Sequence, residues 1–158
     1  MVKSLSWIMA ILLMILIFYF SQQPVTISNN LSTRITERII QTIGIIVPIG
    51  DVPVEKLNHI VRKNAHFFLY FSLGIFVLTA LKKSGIKGYH NLYIAFFLCI
   101  IYAISDEVHQ LFVTGRGAQV KDVLIDSTGA ATGIMVATII GLFISRTNGT
   151  TKPSKKIS

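Results

Sequence analysis

The sequence predicts an all-α membrane protein: four transmembrane helices, with an amphipathic helix at the outer interface between the first and the second. Three observations carry this prediction. Of 158 residues, 52% are hydrophobic and 14% charged, against roughly 25% charged in ordinary soluble domains. Mean hydropathy is +0.64. The apolar residues also fall in four long blocks rather than in the short alternating runs of strands. Disordered, collagen-like and disulfide-framework chains are excluded on the same grounds. The single cysteine, Cys99, lies inside an apolar run, so it forms no intramolecular disulfide and reads as a small hydrophobe.

The first block, Leu5 to Phe20, ends in Phe18, Tyr19 and Phe20, aromatics suited to a membrane interface. Ser21, Gln22, Gln23 and Pro24 follow in place of a small-residue cleavage pattern, so the block reads as a retained transmembrane helix. From Leu31, apolar residues recur every three to four positions through Ile35, Ile39 and Ile43, while Arg34, Glu37 and Arg38 take other faces. That pattern is an amphipathic interfacial helix, with Asn29 or Asn30 as N-cap and Pro48 beyond its end. Gly50, Asp51, Val52 and Pro53 make the turn into the second membrane helix.

The next two blocks, Phe67 to Leu81 and Leu92 to Ile104, are short for a hydrocarbon layer that needs about 20 helical residues. Polar neighbours must supply the missing turns. The second membrane helix therefore starts near Val54 to His59, and the third continues to Leu111, which brings titratable side chains to the membrane boundary. The fourth block runs from Val123 to Ile144, is interrupted by Asp126 and is closed by Arg146. Residues 1–146 thus form one membrane domain, and residues 147–158 a Lys-rich tail expected to be disordered.

The net charge of +8 reads first as a topology signal. Eight of the 15 bases lie in 26 flanking residues at positions 1–4, 82–90 and 146–158, whereas the opposite flanks hold seven in 64. This density difference places both termini in the cytoplasm of a multi-pass cell-membrane protein. No basic stripe with interleaved aromatics is present, so nucleic acid is not expected as a partner. The lipid bilayer is.

Three polar clusters meet at the outer ends of the helices. Arg62, His66 and Tyr70, spaced by four, stack on one face of the second membrane helix. Asp106, Glu107, His109 and Gln110 close the third. Arg116 lies in the following Gly-flanked loop, and Asp122 and Asp126 open the fourth, sharing a face with Gly129 or Ala130 and with Gly133. A carboxylate one turn inside an apolar helix, as Asp126 is, needs a partner, and Arg62 or Arg116 is the natural one. Small residues four apart let another helix approach closely.

These residues resemble the VanZ-like membrane proteins, whose founding member is linked with resistance to the glycopeptide teicoplanin. The resemblance rests on the stretches Arg62 to Tyr70, Ser105 to Arg116 and Asp122 to Gly133, with Ser21-Gln22-Gln23-Pro24 also fitting, and spans about residues 5 to 145. It implies a multi-pass membrane fold and picks out Arg62, His66, Tyr70, Asp106, Glu107, His109, Gln110, Arg116, Asp122 and Asp126. Two functions compete.

In the first, an outward polar site binds a lipid headgroup or a lipid-linked cell-wall precursor. Arg62 and Arg116 grip phosphate there, oriented by Asp106, Glu107 and the histidines, and Tyr70, Gln110, Asp122 and Asp126 complete the ligand-binding set. In the second, the protein is an intramembrane hydrolase or transferase acting on an envelope lipid, with His66 or His109 as acid or base and Asp106 or Glu107 orienting it. His66, His109 and a carboxylate match no closed metal motif, so no metal and no cofactor is expected. Nucleophile-elbow and phosphate-loop motifs are absent from the sequence. Four short helices without an internal repeat argue against a transporter.

Overall fold

The structure, a computed structural model, describes residues 2–43 and 54–149. It is all-helical over these residues: α1 (Val2–Ser21), α2 (Val25–Ile43), α3 (Val54–Lys83), α4 (His90–Gln110) and α5 (Val120–Gly149). Three helices are long and apolar enough to cross a membrane, over Leu57–Lys83, His90–Gln110 and Val120–Thr147. Helix α1 makes a fourth span if it is counted together with α2, from which it is bent by 106°. The polar extensions expected at the ends of the short apolar blocks are present, because α3 begins at Val54 and α4 runs to Gln110.

Two local expectations change. The amphipathic helix starts at Val25, directly after Pro24, so Asn29 and Asn30 are helical residues rather than caps. Pro24 has no N–H to leave unpaired, its carbonyl accepts the Ser28 amide at 3.0 Å, and the Val25 amide is satisfied by the Thr114 carbonyl, so the helix can open there. Helix α5 continues past Arg146 through Gly149, and the tail expected to be disordered is helical over its first three residues. The expected helix stop at Pro48 and the turn at Gly50 to Pro53 lie outside the described residues, as do residues 150–158.

The packing is that of a membrane bundle. Large side chains point outward, Phe97, Leu124, Leu142 and Phe143 among them, where hydrocarbon can solvate them. The interior of α4 is a stripe of Ala95, Cys99 and Ala103 that runs on into Asp106, Glu107 and Gln110. In lipid no hydrophobic gain separates buried from exposed leucine, so helices associate through close packing and internal polar contacts. Cys99 is the small buried hydrophobe expected. Side chains also tie α1 to its neighbours: Trp7 Nε1 donates to Ser84 Oγ at 3.1 Å, and Tyr102 donates to the Met14 carbonyl at 2.5 Å. Asn58 donates to Thr33 Oγ1 at 2.7 Å and holds α2 on α3.

Helix α3 packs most extensively on α5. The two run parallel, with residue 67 level with 129 and residue 71 level with 133, and they meet backbone to backbone. A Cβ on Gly129 would overlap the Phe67 carbonyl, one on Gly133 the Phe71 carbonyl, and one on Gly74 the Ala130 carbonyl. Rigid backbone gives no relief at such contacts. Gly133→Ala should therefore lower stability by about 1–3 kcal/mol, the usual cost of overpacking. Gly141→Ala, whose nearest neighbour is the flexible Lys82 Nζ at 3.8 Å, should leave it unchanged or slightly raised. Thermal unfolding of the two variants in detergent checks the contrast.

Candidate functional site

The α3–α5 register sets the site. His66 immediately precedes Phe67, and Asp126 lies three residues before Gly129, so closure at Phe67–Gly129 brings the imidazole and the carboxylate together. His66 Nδ1 is 3.6 Å from Asp126 Oδ2. One turn nearer the helix starts, Lys63 Nζ is 2.8 Å from Asp122 Oδ1. Asp126 is thus partnered by His66, and neither arginine is bonded to it. Arg116 spends its donors elsewhere, as described below.

Helix α4 supplies the next wall. At about 100° per residue, Gln110 falls between Asp106 and Glu107 on the helix surface, while His109 lies about 60° to the other side of Asp106. The side chains follow this geometry. Gln110 Nε2 donates to Asp106 Oδ2 at 3.3 Å and to Glu107 Oε1 at 3.2 Å. His109 instead turns toward α1 and stacks on Phe18, ring centroids 4.4 Å apart. Tyr102, on the same side, reaches the Met14 carbonyl. His109 is therefore not among the residues lining the polar pocket, and of the two histidines considered from sequence only His66 faces it.

The 111–119 loop closes the pocket. A turn after α4 leads to Gly115, whose φ of 78° is a left-handed conformation that only glycine adopts cheaply. A Cβ there would also lie 2.9 Å from Val25 Cγ1, and the Val25 amide donates to the Thr114 carbonyl. This seats the loop on the start of α2 and aims Arg116 inward. Its Nη2 donates to the Phe20 carbonyl at 3.1 Å and its Nη1 to Gln110 Oε1 at 3.4 Å. Burial, and then the like charge of Arg62, hold the Arg116 guanidinium below its usual basicity. Glu107 Oε2 accepts the Gln119 amide at 2.8 Å, placing a negative group at the N-terminus of α5.

Besides Lys63, two members of the hydrogen-bond network escaped the sequence reading. Ser21, fully buried at the end of α1, donates to Asp106 Oδ2 at 2.6 Å. Its only sequence signal was the Ser-Gln-Gln-Pro stretch. The Gln119 main chain carries no side-chain signal at all. Among the expected residues, Arg62, His66, Glu107, Gln110, Arg116, Asp122 and Asp126 line one polar pocket of about 90 Å³, together with Lys63. Asp106 sits behind it, and Tyr70 is buried beneath with no hydrogen-bond partner for its hydroxyl. A second, mostly apolar cavity of about 390 Å³ lies among α1, α2 and α3, and Arg62, His66 and Arg116 line both.

The sequence model of the family described as VanZ/LLP1 matches residues 6–141, which include every one of these residues. The chain belongs to the VanZ/LLP1 family. No curated protein and no solved structure matches it. The match takes in most of α1, the bent α2, the polar loop and the Gly129/Gly133 contact, and ends within α5.

Two substitutions separate the network from its surroundings. Ser21→Ala removes a buried donor from Asp106 and should cost about 1–3 kcal/mol. His109→Phe preserves the stack on Phe18 and should stay within about 1 kcal/mol of the parent. Thermal unfolding in detergent measures both.

Proposed function

We propose that this VanZ/LLP1 protein works in the cell membrane with both termini cytoplasmic, and that its outward polar site binds the phosphate of an envelope lipid. A headgroup or a carrier-lipid phosphate would fit, and through this site the chain would bear on resistance to teicoplanin-type glycopeptides. The observation that carries the reading is the joint between the two cavities. Arg62 and Arg116 stand at the boundary of a polar pocket and a larger apolar groove. Arg62 makes no hydrogen bond or ion pair with another described residue, and its charge already acts unfavourably on Arg116. Two guanidiniums brought together next to a hydrocarbon-lined groove suit an anionic head on an apolar tail. Ile27, Leu31, Ile35 and Leu69 would receive the tail. The distribution of lysine and arginine supports the orientation, since the denser flanks lie at the opposite ends of the helices.

The His66–Asp126 pair favours a second reading, an intramembrane hydrolase or transferase. Asp126 would hold the imidazole that faces the same pocket, and His66 would act as acid or base. His109 has no place in that scheme, because it faces α1.

Native mass spectrometry of the detergent-purified protein, with a prenyl monophosphate and the matching alcohol, tests the binding. The phosphate should bind at least about tenfold more tightly, the effect of one charge-assisted hydrogen bond. Arg62→Ala should bring the two lipids level. Equal binding of both by the parent protein overturns the reading, and turnover of the phosphate lipid would shift it to the second. In a host that gains teicoplanin tolerance from this chain, Arg116→Ala should abolish tolerance at unchanged membrane abundance. Retained tolerance removes the glycopeptide role.

A further inference from the structure

Below the arginines, the polar layer holds atoms that the phosphate reading leaves unused. Asp106 and Asp126 are 2% and 1% exposed. Asp106 Oδ1 and both carboxylate oxygens of Asp126 accept no hydrogen bond, and the Tyr70 hydroxyl is likewise buried and unbonded. Tyr70 lies within electrostatic reach of both carboxylates. Elsewhere in the same layer polar groups are bonded closely, as Ser21 and Gln110 are to Asp106 Oδ2 and Gln119 is to Glu107. Arg116 Nε and His109 Nε2 lack hydrogen-bond partners in this layer too, and Asp122 Oδ1 has only its ion pair with Lys63, but Asp106 and Asp126 are the carboxylates grouped with His66. Two carboxylates buried together repel each other, and one neighbouring imidazole is a single partner for two such groups.

We propose that His66, Asp106 and Asp126 form a binding site for one divalent cation of the zinc or manganese class. One ligand atom from each lies within 4.8 Å of the others. A cation with bonds of about 2.0–2.2 Å would draw such atoms together, since two ligands of one tetrahedral ion lie roughly 3.4 Å apart. One imidazole nitrogen with two carboxylate oxygens suits zinc or manganese better than magnesium or calcium, which prefer oxygen alone. With His66 neutral, the two negative charges balance the ion. The three residues come from α3, α4 and α5, so the ion would cross-link the three membrane helices. His66 and Asp126 also line the polar pocket, so the ion is reached from there. This set replaces the combination considered from sequence: His109 drops out because it stacks on Phe18, and the second carboxylate takes its place.

The inference stands apart from the lipid reading and is tested with metal alone. Protein purified in detergent and stripped with a chelator is titrated with Mn²⁺ and followed by loss of the free-ion electron paramagnetic resonance signal. The expected result is uptake of one Mn²⁺ per chain, displaced by Zn²⁺ and accompanied by a rise in thermal stability that chelator reverses. Asp126→Asn should weaken uptake at least about tenfold. Glu37→Gln, on the exposed face of α2, should bind like the parent. No one-to-one uptake by the parent up to about 1 mM, the weak limit of extracellular cation sites, overturns the proposal. So does an equal loss in Glu37→Gln. The parent titration decides the matter even if Asp126→Asn does not fold, and a negative outcome leaves the prenyl phosphate experiment intact.

Discussion

The backbone contact between α3 and α5 is the constraint on which the rest depends. Gly74, Gly129 and Gly133 have no side chain to keep the helices apart, and carbonyls of the opposite helix occupy the space where a Cβ would be. Sequence puts His66 beside one contact residue and Asp126 one turn from its partner. The contact that holds the helices together therefore also fixes the distance between the two titratable groups. Sliding α3 by one helical turn against α5, about 5.4 Å, would take His66 away from Asp126 and bring Arg62 or Tyr70, the neighbours of His66 on the same face, toward that carboxylate. Packing and chemistry share one register, so neither can drift without the other.

Above this register, the polar layer divides its labour. Arg116, Gln110, Ser21 and Glu107 spend their hydrogen bonds joining α1, α4, the 111–119 loop and the start of α5. They act as a frame. Asp106 joins that frame through Oδ2 alone, while Asp106 Oδ1 and both Asp126 oxygens accept no hydrogen bond. A membrane interior magnifies both roles. A satisfied polar contact is stronger where water cannot compete, and an unsatisfied one is more costly. Arg116 illustrates the compromise, with Nη1 and Nη2 bonded to the frame while Nε is buried and free.

Much of this was legible from the sequence, for a physical reason. Hydrocarbon demands about 20 helical residues per span, so the shortness of the blocks Phe67 to Leu81 and Leu92 to Ile104 already required their polar ends to be helical. The acids, Arg62, His66 and Arg116 thereby came to one end of the bundle. Azimuth was harder to read. His109 and Gln110 are both near Asp106 in helical spacing, and only the position of α1 against one flank of α4 decides that the glutamine faces inward and the histidine faces Phe18. Proximity between helices was harder still: the Ser21 hydroxyl and the Gln119 amide enter the network through tertiary contact, and an amide belongs to every residue alike. The sequence also suggested an arginine for Asp126, because charge alone ranks partners by sign. Helix register ranked them by reach.

The sharp bend between α1 and α2 carries a consequence of its own. Folded back at 106°, α2 roofs an apolar groove whose lining side chains Tyr19, Ile27 and Leu31 remain about half exposed. A lipid ligand would enter such a groove sideways, from within the leaflet, without leaving hydrocarbon. Its supply is then a surface density rather than a bulk concentration. Occupancy would follow the mole fraction of that lipid among its neighbours, and a change in leaflet composition would tune the protein as directly as a change in its own sequence.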